Sequence, residues 1–64
     1  MKKNDFLKYC DKNKISYEIV KAKWPYNYGN NKGYQATNKN GVLVYFFFND
    51  DGILLQRRII KKDR

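Results

Sequence analysis

The chain has 64 residues, in which 14 lysine and arginine residues outnumber 6 acidic residues, and its formal net charge is +8. One cysteine and no histidine exclude an internal disulfide and leave too few sulfur or imidazole ligands for a metal site. The positive charge indicates an anionic partner, for which nucleic acid is the first candidate. A lysine-rich surface that only keeps the protein soluble is the alternative.

Residues 4–14, NDFLKYCDKNK, have the pattern of a short amphipathic helix. Asn4 or Asp5 would accept hydrogen bonds from the free backbone N–H groups of its first turn. The apolar stripe of this helix would consist of Phe6, Leu7 and Cys10. On that stripe we expect Cys10 to be a small buried hydrophobic residue rather than a nucleophile.

The basic start of the chain is not followed by the apolar stretch of a secretion signal. No run approaches the roughly 20 apolar residues that a membrane helix needs. A lone cysteine also suits a reducing compartment. We therefore expect a soluble, intracellular (cytoplasmic) protein that does not bind membranes and that folds as a single domain over residues 1–64.

Residues 15–24, ISYEIVKAKW, favour a strand because β-branched and aromatic residues dominate the segment. The next segment, 25–33, reads PYNYGNNKG and predicts a loop, since its proline, glycines and asparagines interrupt regular structure. Two tyrosines in this loop and the tryptophan before it give the loop an aromatic character that a plain connection does not need.

Two hairpins are predicted next, with turns at 38–41 and 49–52, each of which begins with asparagine and ends with glycine. The segment 53–62 then continues as a fourth strand, with a C-terminal helix as the alternative. The expected fold class is α+β: one short N-terminal helix packed on an antiparallel β-meander of about four strands. The alternative order is α-β-β-β-α.

The two turns also predict a register, in which Phe48 lies opposite Ile53 and Thr37 lies opposite Val42. Alternation then gives the sheet two faces. The face assigned to the helix would carry Val42, Val44, Phe46, Phe48, Ile53, Leu55 and Ile59. The other, tyrosine-rich face would carry Tyr34, Ala36, Leu43, Tyr45, Phe47, Leu54 and Ile60. Because one short helix covers one face, the second would be open, covered by the 25–33 loop, or buried in a homodimer.

Catalytic chemistry is poorly represented in the sequence. No histidine is available as an acid or base, and neither Cys10 nor Ser16 has a base nearby in sequence. Asp50 and Asp51 occupy a tight turn, where aspartate is expected for conformational reasons. We expect no enzyme activity, no cofactor and no metal.

Binding chemistry is better represented, because residues 21–34, KAKWPYNYGNNKGY, interleave lysines with aromatic rings. Cations neutralise phosphates, and flat rings stack on bases. The predicted phosphate contacts are Lys21, Lys23, Lys32 and Lys39, with Arg58, Lys61 and Lys62 from the basic C-terminal segment assisting. The predicted stacking residues are Trp24, Tyr26, Tyr28, Tyr34 and Tyr45.

The sequence thus favours a small, basic, non-catalytic protein that binds nucleic acid, either DNA or RNA. The alternative is a protein-binding inhibitor or adaptor, of the type that phages and mobile elements encode, which would dock through the tyrosine-rich sheet face. A homodimer through that face would be compatible with both interpretations.

Overall fold

The architecture is one helix followed by a four-stranded antiparallel sheet, in a computed structural model that describes residues 1–38 and 40–61. The elements are α1 (Lys3–Lys12), β1 (Tyr17–Lys21), β2 (Lys32–Thr37), β3 (Leu43–Phe48) and β4 (Leu54–Lys61). The strands follow one another in the order β1-β2-β3-β4. The predicted α+β meander is confirmed, and the C-terminal segment is a strand rather than a helix as far as Lys61. In the described residues, no helix has the length and apolar character needed to cross a bilayer.

The start of α1 is held by the β3–β4 turn rather than by a side-chain cap. Lys2 occupies the N-cap position and caps no backbone group with its side chain, so the prediction that Asn4 or Asp5 caps the helix is wrong. Instead, the backbone N–H of Lys3 donates to the carbonyl of Gly52 at 2.7 Å, and Lys2 forms an antiparallel bridge with Ile53. Pairing with the β3–β4 turn therefore satisfies a free N–H group at the helix start, which a capping side chain would otherwise satisfy.

Both hairpin turns are built by an asparagine side chain and a glycine. Asn49 Oδ1 accepts hydrogen bonds from the N–H groups of Asp51 and Ile53, and Asn38 Oδ1 does the same for Asn40 and Val42. Gly52, at the end of its turn, has a φ of 77°, which glycine adopts at little cost. The asparagine itself closes each ladder, because its N–H donates to the carbonyl four residues on.

This closure shifts the register from the predicted one. Phe48 lies opposite Leu54 instead of Ile53, and Thr37 lies opposite Leu43 instead of Val42. Two irregularities in the β3–β4 ladder leave two β4 residues, Leu55 and Ile60, without an opposite residue in β3.

The shifted register moves three residues of the predicted tyrosine-rich face to the other face of the sheet. Tyr34 is opposite Phe46 and Ala36 is opposite Val44, so both belong to the helix side. The prediction that Tyr34 and Ala36 share a face with Tyr45 is therefore wrong. The same pairing places Leu54 on the helix side with Phe48. A single added pair in each hairpin accounts for the change, because neighbouring residues of a strand point to opposite faces.

The sheet separates two hydrophobic cores. Beneath α1, the rings of Phe6 and Phe46 lie 4.6 Å apart, and Cys10 is only 1% exposed, which confirms its predicted burial. Burial also raises the pKa of the Cys10 thiol. The helix-side core consists of Phe6, Cys10, Ala36 and Phe48, with Leu7, Ile15, Tyr34, Phe46 and Leu54 packed against it. The opposite core consists of Ala22, Tyr45 and Phe47, with Val20 and Tyr26 packed against it.

Candidate nucleic-acid interface

The second face of the sheet is covered by the segment between β1 and β2, residues 22–31, which we call the crossing loop. The ring of Tyr26 stacks on Phe47 with centroids 4.6 Å apart and planes 12° from parallel. The loop reaches as far as β4, where the carbonyl of Trp24 accepts hydrogen bonds from Gln56 at 3.4 Å and from Arg58 at 3.2 Å. Of the three arrangements expected for this face, cover by the loop is the one observed.

Tyr45 is a core residue and is unavailable for base stacking. Its side chain is 0% exposed, so its prediction as a stacking residue is wrong. The hydroxyl oxygen accepts a hydrogen bond from the backbone N–H of Lys23 at 3.0 Å, and the Lys23 Nζ lies 5.4 Å from the ring centroid. The ring thus fixes the start of the crossing loop, which explains why a tyrosine stands here rather than a phenylalanine.

Two predicted rings do face solvent on the crossing loop. Trp24 is 74% exposed and Tyr28 is 70% exposed. The loop that carries them is fixed at both ends, because the N–H of Ala22 donates to the carbonyl of Asn31, and the Asn31 side chain donates to the carbonyl of Tyr26. Large rings held out from an anchored backbone lose little conformational freedom when they stack on a partner.

Tyr34 is half-buried on the helix side of the sheet. Its ring centroid lies 5.9 Å from that of Phe6 and 5.7 Å from that of Tyr17. The Lys3 Nζ approaches the same ring, at 5.8 Å from the centroid. Tyr34 therefore lies apart from Trp24, with the sheet between them, and only its outer edge borders the surface.

Lys21 and Lys32 are directly opposite each other in the β1–β2 pair, and both are exposed. Residues paired in this way project from the same face of a sheet, and like charges so placed repel. An anion bound between the two ammonium groups would remove that repulsion. The structure brings these two predicted phosphate contacts together, although ten residues lie between them in the chain.

A groove of about 660 Å³ lies at the same end of the sheet, between the start of α1, the crossing loop and the β3–β4 turn. Its cationic side chains are Lys2, Lys3 and Lys32, and its aromatic side chains include Tyr26, Tyr28 and Tyr34. Asp50 and Asp51 form an acidic rim of the groove on the side of the β3–β4 turn, whose Gly52 also accepts the hydrogen bond from the start of α1. We call this concavity the end groove. Sequence reasoning missed Lys2 and Lys3, because only the backbone bridge from Lys2 to Ile53 brings them to this site.

Two other predicted phosphate contacts, Arg58 and Lys61, do not line the end groove. Arg58 donates to the carbonyl of Trp24, a neutral acceptor, so its positive charge stays uncompensated in that contact. Lys61 is exposed, opposite Leu43 near the end of β4 and on the face that the crossing loop covers. Lys39 and Lys62 lie outside the described residues.

Within residues 1–38 and 40–61, no three histidine, cysteine, aspartate or glutamate side chains are grouped to share a metal ion. The residues that line the end groove include lysines, asparagines and aromatic rings. No protein-family model matches the chain, and no curated protein or solved structure is detectably similar to it.

Proposed function

We propose that the protein binds single-stranded nucleic acid without catalysing a reaction, through the end groove and the adjoining crossing loop. The observation that carries the proposal is the convergence of Lys2, Lys3 and Lys32 beside the exposed ring of Tyr28. Lysines neutralise backbone phosphates and release counterions, while a solvent-facing ring offers a stacking surface to any base. Both halves of that chemistry are present in one concavity.

A single strand fits this surface better than a duplex. Trp24 and Tyr28 present ring faces, and a ring face is useful only to a base that has left the duplex stack. The described part of the chain also lacks a long exposed helix for a major groove, since its one helix, α1, has 10 residues and packs its apolar side on the sheet.

The acidic rim would determine where the phosphates of a bound strand lie in the end groove. Asp50 and Asp51 would repel phosphates from the tip of the β3–β4 turn, which lies beside the start of α1. The sugar–phosphate backbone would therefore follow Lys2, Lys3 and Lys32, with the bases turned toward Tyr28. The exposed pair of Lys21 and Lys32 extends the cationic path toward the β1 edge.

The test is the anisotropy of a labelled oligonucleotide of about a dozen residues, measured as single-stranded DNA, single-stranded RNA and duplex over a range of salt concentrations. For three or four phosphate contacts, log K against log salt should have a slope of about −2 to −3 for the single strands. The single strands should bind more tightly than the duplex. Absence of binding at low salt would overturn the proposal.

A charge-matched pair of variants separates a site from general attraction to a basic protein. The groove variant carries Lys2→Gln, Lys3→Gln and Lys32→Gln. The control carries Lys8→Gln, Lys12→Gln and Lys14→Gln, which are exposed residues in the middle of α1, at its last position and just beyond it. Both variants have the same net charge. If the groove is the binding site, the salt slope should become flatter in the groove variant and stay unchanged in the control. Equal losses would contradict the proposed site.

The tyrosine-rich face that the protein-docking alternative requires is closed, because Tyr45 and Phe47 are buried under the crossing loop. The exposed Trp24 is the feature that would suit a protein interface instead. Capture from a lysate with and without nuclease treatment distinguishes the two functions. Loss of the captured material after nuclease treatment supports nucleic-acid binding, and retention of one stoichiometric protein supports docking.

A further inference from the structure

The first strand is a free edge of the sheet that carries exposed apolar side chains. β1 pairs with β2 on one side, and its five residues are exposed except for the half-buried Val20. Ile19 is 59% exposed and Tyr17 is 43% exposed. Unprotected edge strands are templates for pairing with another strand, and natural proteins usually guard them with charge.

The backbone direction of β1 can be deduced from its hydrogen bonds to β2. The N–H of Ala22 donates to Asn31, which continues the β1–β2 register by one pair, so the N–H of Ala22 points toward β2. Alternate residues of an antiparallel strand direct their N–H and C=O groups to opposite sides. Lys21, Ile19 and Tyr17 therefore direct theirs to the free edge. The exposed apolar residues and the unpaired backbone groups of β1 coincide.

The sequence of β1 is complementary to itself in an antiparallel arrangement. A two-fold axis through Ile19 would place this residue opposite the partner's Ile19 and would exchange their outward N–H and C=O groups. Tyr17 would then lie opposite the partner's Lys21, where an ammonium group and a ring attract each other. Glu18 would lie opposite the partner's Val20. No two like charges are directly opposite in this register.

The other edge of the sheet does not suit a second copy. Antiparallel pairing of β4 with itself, in the registers that overlap most of the strand, places Arg57 or Arg58 opposite its own copy, which is a repulsive arrangement. The outer side of the β4 start is also occupied, since the N–H of Leu54 donates to the carbonyl of Met1 at 3.1 Å. The two irregularities in the β3–β4 ladder further distort this edge.

We infer that the chain forms a symmetric homodimer through β1, in which the two sheets join into one continuous antiparallel sheet. Ile19 and Tyr17 of both copies would form a small apolar contact on the helix side. The outer surface of Tyr17, whose inner side packs on Phe6 and Tyr34, would be covered by the aliphatic stem of the partner's Lys21. The dimer would also place a Lys21–Lys32 pair on each side of its axis.

Sedimentation equilibrium over a wide concentration range tests the association, with Ile19→Asp and Ile59→Asp as matched variants. Both residues are exposed isoleucines on edge strands, at 59% and 50%. Wild type and Ile59→Asp should approach twice the monomer mass at high protein concentration. Ile19→Asp should stay monomeric, because it would place two carboxylates directly opposite each other at the two-fold axis. Circular dichroism establishes that both variants remain folded.

Chemical cross-linking then tests the register. In a Cys10→Ala background, Ile19→Cys treated with a short bismaleimide should yield a covalent dimer, and Ile59→Cys should not. A monomeric wild type at every concentration would overturn the inference. So would a dimer lost in Ile59→Asp but kept in Ile19→Asp, or one cross-linked through position 59, since either result places the contact on β4. Larger assemblies would overturn it too, because a symmetric β1 contact closes at two copies.

Discussion

The ring of Tyr45 lies directly over the backbone of Gly33, on the neighbouring strand. A Cβ built on Gly33 would come within 2.6 Å of the Tyr45 Cζ and hydroxyl oxygen, a distance that real Cβ contacts do not show. The absence of a side chain at position 33 therefore creates the space in which the ring lies flat and reaches the backbone N–H of Lys23. This pair of residues fixes the crossing loop on the sheet.

Gly33→Ala should destabilise the protein, by about 1–3 kcal/mol, because the added methyl group overpacks a buried site. Chemical denaturation followed by circular dichroism measures the change. In a Tyr45→Leu background the ring is absent, so the same glycine substitution should cost much less. An equal cost in both backgrounds would mean that Gly33 serves another purpose.

Trp24→Ala should weaken single-strand binding by about 1–3 kcal/mol while leaving the free energy of unfolding nearly unchanged, because the exposed indole would stack on a bound base and is not packed in the core. Oligonucleotide anisotropy and denaturation measure the two effects. Tyr9→Ala is the matched control, since Tyr9 is also exposed but lies on α1. Trp24 is the only tryptophan, so binding should also change the intrinsic fluorescence.

Replacing the acidic rim should tighten nucleic-acid binding. In the variant Asp50→Asn with Asp51→Asn, the repulsion between the turn and the phosphates is removed while the turn residues keep their size. We expect an affinity gain of about two- to fivefold at low salt, which shrinks as salt screens the charges. A double substitution at Asp5 and Asp11 to asparagine changes the net charge equally, on α1. Equal gains in the two variants would argue against a role for the rim.

Stability should decrease at alkaline pH because of Cys10. Burial raises the pKa of its thiol above the ordinary value of 9.0, so the folded protein retains a proton that the unfolded chain releases. The stabilising contribution is therefore complete below pH 9.0 and is lost as the pH rises toward the folded pKa. The difference in unfolding free energy between wild type and Cys10→Ala, measured across this range, isolates the thiol from the tyrosines and lysines. A difference that does not vary with pH would contradict this assignment.

The elements of the fold and the two faces of β3 could be predicted from local pattern, whereas the faces of Tyr34, Ala36 and Leu54 could not. The stripe of Phe6 and Cys10 and the Asn-to-Gly turns identified the helix and the hairpins. The register failed by one pair because Asn38 and Asn49 act both as turn residues and as ladder residues. A shift of that size changed the face of Tyr34.

The candidate site was predicted in composition rather than in arrangement. The pairing of Lys21 with Lys32 depends on the β1–β2 register, and the role of Lys2 and Lys3 depends on a bridge between the chain start and Ile53. Such contacts join residues that are distant in sequence. The burial of Tyr45 depends on the space above Gly33. The sequence around these two residues does not show whether the tyrosine is packed or exposed.

β3 contributes alternate side chains to the two cores. Tyr45 and Phe47 pack under the crossing loop, and Phe46 and Phe48 pack under α1. Inserting or deleting one residue within Leu43–Phe48 would exchange these two sets, turning a phenol toward the helix and two plain phenyl rings toward the loop. A change in chain length inside β3 would therefore disrupt both cores at once.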